Sequence, residues 1–107
     1  MNDSDLKNPE VLKQKLNLDT ARIGWSLLAD YQKEGGVIEV MPQLDLIDVA
    51  TAFALDSSEN VKQWLELGLI QKVDSQQSEL WLQESLEPWA VVVAPWVLIQ
   101  RDKPLPG

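Results

Sequence analysis

Apolar residues recur at helical spacing in several stretches of the chain. In the segment 20–34 they fall three to four positions apart, at Ile23, Leu27, Leu28 and Tyr31. Gly35 and Gly36 follow, and glycine readily adopts the left-handed backbone found after helix ends, so a helix over 20–34 is predicted. The same criteria predict helices over 44–55, 58–67 and 75–87, the last ended by Pro88. In the helix over 58–67 we expect Val61, Trp64 and Leu65 on the inner side. A short helix after Asn8-Pro9, with Leu12 and Leu16 on one side, is also expected.

Three other segments are typical of strands. Val37–Met41 and Leu69–Val73 are short runs bounded by glycine, proline or aspartate. The third, WAVVVAPWVLIQ at 89–100, has twelve residues without a charge. That is too few to cross a membrane as a helix, which needs about twenty residues. We interpret it as a strand.

Alternation along the strand at 89–100 places its odd-numbered residues, from Trp89 to Ile99, on one face and its even-numbered residues on the other. Both faces are apolar, so the strand must be covered twice. Helices of the same chain are the first candidate for the second cover, and a second copy in a homodimer is the other. Because Pro95 cannot donate to a ladder, the strand is at an edge there, or is bulged or kinked into two halves. The residues predicted for an interface are Trp89, Val91, Val93, Pro95, Trp96, Val97 and Ile99.

These elements predict an α+β fold of four helices and a three-stranded sheet. The predicted divisions are a polar tail or short helix at 1–17, one globular domain at 18–101 and a C-terminal tail at 102–107. The segment 44–73 resembles a winged helix-turn-helix, with a helix, a polar turn and a second helix leading into a strand. A helix over 75–87 stands where the wing would turn.

The charge disfavours nucleic acid as a partner of that segment. The chain has 9 basic and 17 acidic residues, a formal net charge of −8. Within 44–73 two lysines face five acidic residues, and a duplex would be repelled. The same sign disfavours anionic membrane surfaces. The polar N-terminus carries no apolar secretion signal, so a cytoplasmic location is expected.

Catalytic chemistry has few candidate residues. The chain contains no histidine and no cysteine, so the commonest general base, thiol nucleophile and zinc ligands are absent. Asp45 and Asp48 are three residues apart and could share a hard cation such as Mg²⁺, although helix capping and dipole complementation explain them more simply. Arg22 lies among apolar residues beside Trp25, and we expect it to stack on an aromatic ring, pair with a carboxylate such as Asp45, or bind a ligand. No cofactor is expected.

The motifs TARIGW (20–25), GVIEV (36–40), LDLIDVA (44–50), the Trp64 and Gly68-Leu69 pair, and WAVVVAPWVLIQ resemble a family of small bacterial proteins. That family is a domain of unknown function found in cyanobacteria and proteobacteria, and the resemblance covers about 18–100. It implies no activity, substrate or site residue. Gly24 stands where relatives are expected to carry proline.

The sequence therefore predicts a non-enzymatic interaction module, with a homodimer or another protein as its partner. A winged helix-turn-helix transcription regulator and a small-molecule or metal binder are the alternatives.

Overall fold

The structure, a computed structural model, describes residues 8–101, which form five helices and five strands. The helices are α1 (Pro9–Asp19), α2 (Trp25–Lys33), α3 (Leu46–Ala54), α4 (Ser58–Glu66) and α5 (Ser75–Gln83). The strands are β1 (Ala21–Arg22), β2 (Val37–Val40), β3 (Ile70–Lys72), β4 (Trp89–Val93) and β5 (Trp96–Gln100). The α+β class and the single domain are confirmed, whereas the predicted four helices and three strands are too few.

Local signals explain most helix ends. The side chains of Asn8, Asp45 and Asp74 accept backbone N–H groups at the starts of α1, α3 and α5. Gly35 and Gly68 have φ of 78° and 72° just beyond α2 and α4, where a residue with a side chain would be strained. The short N-terminal helix is also confirmed, and its Leu12 and Leu16 are buried in the core. The tails at 1–7 and 102–107 lie outside the described residues.

The strands form one sheet in the order β1-β4-β5-β2-β3, antiparallel except where β5 pairs with β2. Helices cover both faces of this sheet. Residues of α1 and α3 pack on one face, together with Val91 and Leu98. Residues of α2 and α5 pack on the other, together with Val97 and Ile99. The winged-helix arrangement is not confirmed.

The segment 89–100 is a hairpin, not one strand. It turns at Ala94-Pro95, whose peptide bond is cis, so that Val93 pairs with Trp96 and Trp89 with Gln100. The chain does divide at Pro95, but into two antiparallel strands, so the prediction of a single strand that is bulged or kinked there is wrong. Because the turn reverses the chain, the odd-numbered positions do not share a face, and that part of the prediction is wrong. The two covers are confirmed, and helices of the same chain provide them.

Two predicted helices are shorter than expected. The first begins at Trp25 because Ala21 and Arg22 pair with β4, and the Ile23 N–H donates to the Pro88 carbonyl at 3.1 Å. As a result Trp25 and Leu28 face the core, while Leu27 is 71% exposed. Helix α5 ends at Gln83, before Ser85 takes a φ of 53°.

Candidate functional site

An apolar pocket of about 270 Å³ lies between α3, α4 and one end of the sheet. Its wall residues come from three directions. Helix α3 and the connection after it provide one side, α4 provides a second, and strands β2, β3 and β5 provide the base. The lining residues are Ile38, Ala52, Phe53, Asp56, Ser57, Ser58, Val61, Leu65, Lys72 and Trp96.

Helix α4 forms the most open wall of the pocket. Val61 and Leu65 are four residues apart, so they lie one above the other on the same side of the helix. Yet no residue of α4 is buried, and Leu65 is 48% exposed. Leu67, just beyond the helix, is also exposed. The helix therefore carries an apolar side that the described chain covers only in part.

Two aromatic rings and a cation form the base of the pocket. The Phe53 and Trp96 rings meet edge to face, with their centroids 6.4 Å apart. The Lys72 ammonium lies over the Trp96 ring, 5.6 Å from its centroid. Such contacts hold rings in a fixed orientation. These rings therefore present aromatic surface to an apolar group that enters the pocket.

The charged residues that line the pocket are Asp56 and Lys72, and α4 adds two carboxylates and one lysine outside the lining. Asp56 lines the pocket in a left-handed conformation, with φ 55°. Glu59 and Glu66 lie on the first and last turns of α4, with Lys62 between them. Within residues 8–101 none of these three carboxylates has an ion-pair partner. The surroundings of the pocket thus offer carboxylates that a partner can neutralise.

Of the residues predicted for an interface, Trp96 is the one that lines this pocket. Trp89 and Val93 are half-buried, and Pro95 is exposed in the hairpin turn. Val91, Val97 and Ile99 are buried beneath helices of their own chain, so they are not available to a second copy. An interface at the other four stays a prediction.

Arg22, Asp45 and Asp48 do not come together. Arg22 is exposed, its Nε donates to the Glu87 carbonyl at 3.2 Å, and its guanidinium lies 5.6 Å from the centroid of the Trp89 ring. The expected stacking is present, on Trp89 and not on Trp25. Asp45 caps α3, and Asp48 is 3.1 Å from the Lys13 ammonium. Among residues 8–101 no three acidic residues are grouped as a metal would require.

Sequence reasoning missed the pocket because it placed the apolar residues of α4 in the core. The spacing of Val61, Trp64 and Leu65 correctly predicted a common side, but spacing does not show whether anything covers that side. A useful signal was the polarity of the helix, since its six other residues are Ser, Glu, Asn, Lys, Gln and Glu. A helix with so few apolar residues leaves much of its surface to solvent.

The model of the family described as "Protein of unknown function (DUF2288)" matches residues 11–101. The NMR solution structure of PA1075 from Pseudomonas aeruginosa is similar, with 39% sequence identity and a TM-score of 0.74. The alignment covers 87% of this chain and 86% of that one. No curated protein matched. In the described part of the chain no helix is both long and apolar enough to span a bilayer. The predicted resemblance to a bacterial family of unknown function is confirmed, and the chain belongs to the DUF2288 family.

Proposed function

We propose that this protein is a non-enzymatic interaction module that binds a partner protein through the pocket and the open side of α4. One observation carries the proposal: α4 is amphipathic, yet none of its residues is buried. Exposed apolar side chains beside a pocket are typical of surfaces that a partner covers.

The chemistry of the pocket supports binding in preference to catalysis. Its walls are mainly aliphatic and aromatic, and its charged members are Asp56 and Lys72. The two serines that line it, Ser57 and Ser58, have no histidine to activate them, since the chain contains none. An apolar side chain entering the pocket would lose its contact with water and gain contact with the two rings.

A second copy of the chain stays among the proposed partners. Three of the seven hairpin residues from which the homodimer was predicted are buried beneath their own helices, so the hairpin offers less surface for pairing than expected. If two copies associate, we propose that they do so through the exposed apolar side of α4.

The test compares two leucines of similar exposure on different helices. Leu65 is 48% exposed and lines the pocket, whereas Leu80 is 51% exposed on α5. Tagged wild-type protein, L65E and L80E are each expressed in the source organism, and the co-purifying proteins are compared by quantitative mass spectrometry. We expect a partner that L80E retains and L65E loses. Equal recovery with L65E and wild type would contradict the proposal.

A further inference from the structure

We infer that the segment of the partner that enters the pocket is a basic amphipathic helix, an inference that rests on the proposed function. Its apolar side would enter between α4 and the base of the pocket, and its lysines or arginines would meet the carboxylates nearby. Recognition of a helix by an apolar groove is a recurring mode of peptide binding.

The geometry of α4 favours a helical occupant. Val61 and Leu65 are one turn apart and both line the pocket, so the open apolar surface extends along the axis of α4. A partner helix presents its own apolar residues at the same spacing. A small apolar cavity of about 150 Å³ can hold a benzene ring. The pocket, at about 270 Å³, has room for a large side chain and part of a second.

The charges favour a basic occupant. From Asp56 to Glu66 the chain has three carboxylates, Asp56, Glu59 and Glu66, against the single lysine Lys62. The ammonium of Lys72 already lies against the Trp96 ring. The whole chain has a net charge of −8, so a basic segment is also attracted over a longer range.

The same charges disfavour a second copy as the occupant. Two chains of net charge −8 repel each other as they approach, and the repulsion falls when salt screens it. Binding of a basic helix depends on salt in the opposite direction, because screening weakens an attraction. Salt dependence therefore distinguishes the two occupants.

The test uses two synthetic helices with leucines at the same positions, one with lysines at all other positions and one with glutamates. Each is fluorescently labelled and titrated with the full chain, and binding is followed by anisotropy. We expect the lysine peptide to bind about tenfold more tightly or better, because the glutamate peptide adds like-charge repulsion. Binding of the lysine peptide should weaken with salt, and L65S should weaken it while L80S should not.

A charge-matched control distinguishes binding at the pocket from general attraction to an acidic protein. D56N/E59Q and E79Q/E84Q each remove two negative charges. In the first pair Asp56 lines the pocket and Glu59 lies on the first turn of α4, and the second pair lies on and just after α5. The inference requires a larger loss with D56N/E59Q. Equal losses with both pairs would overturn it, as would equal binding of the two peptides or a Leu65-dependent dimer that excludes the lysine peptide. If L65E loses a cellular partner but the lysine peptide has no advantage, the inference fails and the proposed function stands.

Discussion

Glu39 is the most deeply buried charged residue among 8–101. Its side chain is 3% exposed on the sheet face that α2 and α5 cover, and Arg101 pairs with it through Nε. The Arg101 guanidinium also lies 5.1 Å from the centroid of the Trp81 ring. The last described residue thereby connects β2 to α5. A buried carboxylate with one charged partner depends strongly on that partner.

Removing Arg101 should therefore destabilise the fold. We expect R101M to lower the free energy of unfolding by about 2–3 kcal/mol, less than for a fully buried pair because the arginine side chain is 43% exposed. The double variant E39M/R101M leaves no buried charge and should recover to within about 1 kcal/mol of wild type. Urea denaturation measures the free energy of unfolding of both variants. An R101M variant as stable as wild type would show that the pair contributes nothing.

Gly24 and Gly35 should respond oppositely to substitution. Gly24 has φ −58°, which proline also adopts, and no bond of its N–H appears in the described structure. G24P should therefore stabilise the fold by about 0.4–1 kcal/mol, by restricting the unfolded chain. Gly35 has φ 78° and open space around it, so G35A should cost about 1–2 kcal/mol through backbone strain alone. Thermal unfolding of the two variants checks the signs, and a destabilising G24P would contradict this account of Gly24.

Residue-level prediction succeeded where the cause is local. The cap at Asp45 and the glycine that ends α4 follow from neighbouring residues alone. The contacts of Arg22 could not be predicted from its neighbours. Glu87 and Trp89 lie more than 60 residues further along the chain and come beside Arg22 only because β1 pairs with β4.

At the scale of elements, the hairpin at 89–100 shows what a run of apolar residues can predict and what it cannot. Most of both halves is buried, as the uncharged run predicted, although Val92 is 61% exposed and the turn at Ala94-Pro95 is also exposed. It did not reveal the reversal of the chain, because Pro95 was interpreted as an edge, a bulge or a kink within one strand. Because 89–100 was treated as one strand, the parallel pairing of β5 with β2 was not predicted either. That pairing places Trp96 beside the pocket.

Alanine substitutions at Trp81 and Trp96 should differ in their cost to stability, because one ring is in the core and the other lines the pocket. Trp81 is 1% exposed and meets Trp25 edge to face, with the centroids 4.9 Å apart, while Trp25 donates to the Ser78 hydroxyl. W81A should therefore cost about 3–5 kcal/mol. Trp96 is half-buried, so W96A should cost about half as much, since less area is lost from the core. In urea denaturation, equal losses would contradict the assignment of Trp96 to a binding surface.

At the scale of the whole molecule, the sheet has helices on both faces, as the two covers predicted for 89–100 required, but its five strands and their order were not predicted. The short strands at 21–22 and 96–100 were assigned to neighbouring elements, and the resulting three-stranded sheet suggested a winged helix. Pairing between distant segments decides the strand order, and no local pattern records it. The helix pair α3 and α4 was predicted correctly because both helices have local signals.

Self-association through α4 should increase with salt. Two copies of net charge −8 repel each other, and added salt screens that repulsion. Sedimentation velocity of wild type and L65E at low and high salt measures this. Any wild-type dimer should grow with salt and be absent from L65E. A dimer that forms equally in L65E would place the contact elsewhere on the molecule.

The most direct measurement for the central claim is amide NMR of the labelled chain during titration with the partner recovered in the co-purification experiment. The account predicts that the shifted resonances cluster at the end of α3, along α4 and at Lys72 and Trp96, the residues around the pocket. Shifts confined to α2 and α5, on the other face of the sheet, would contradict it.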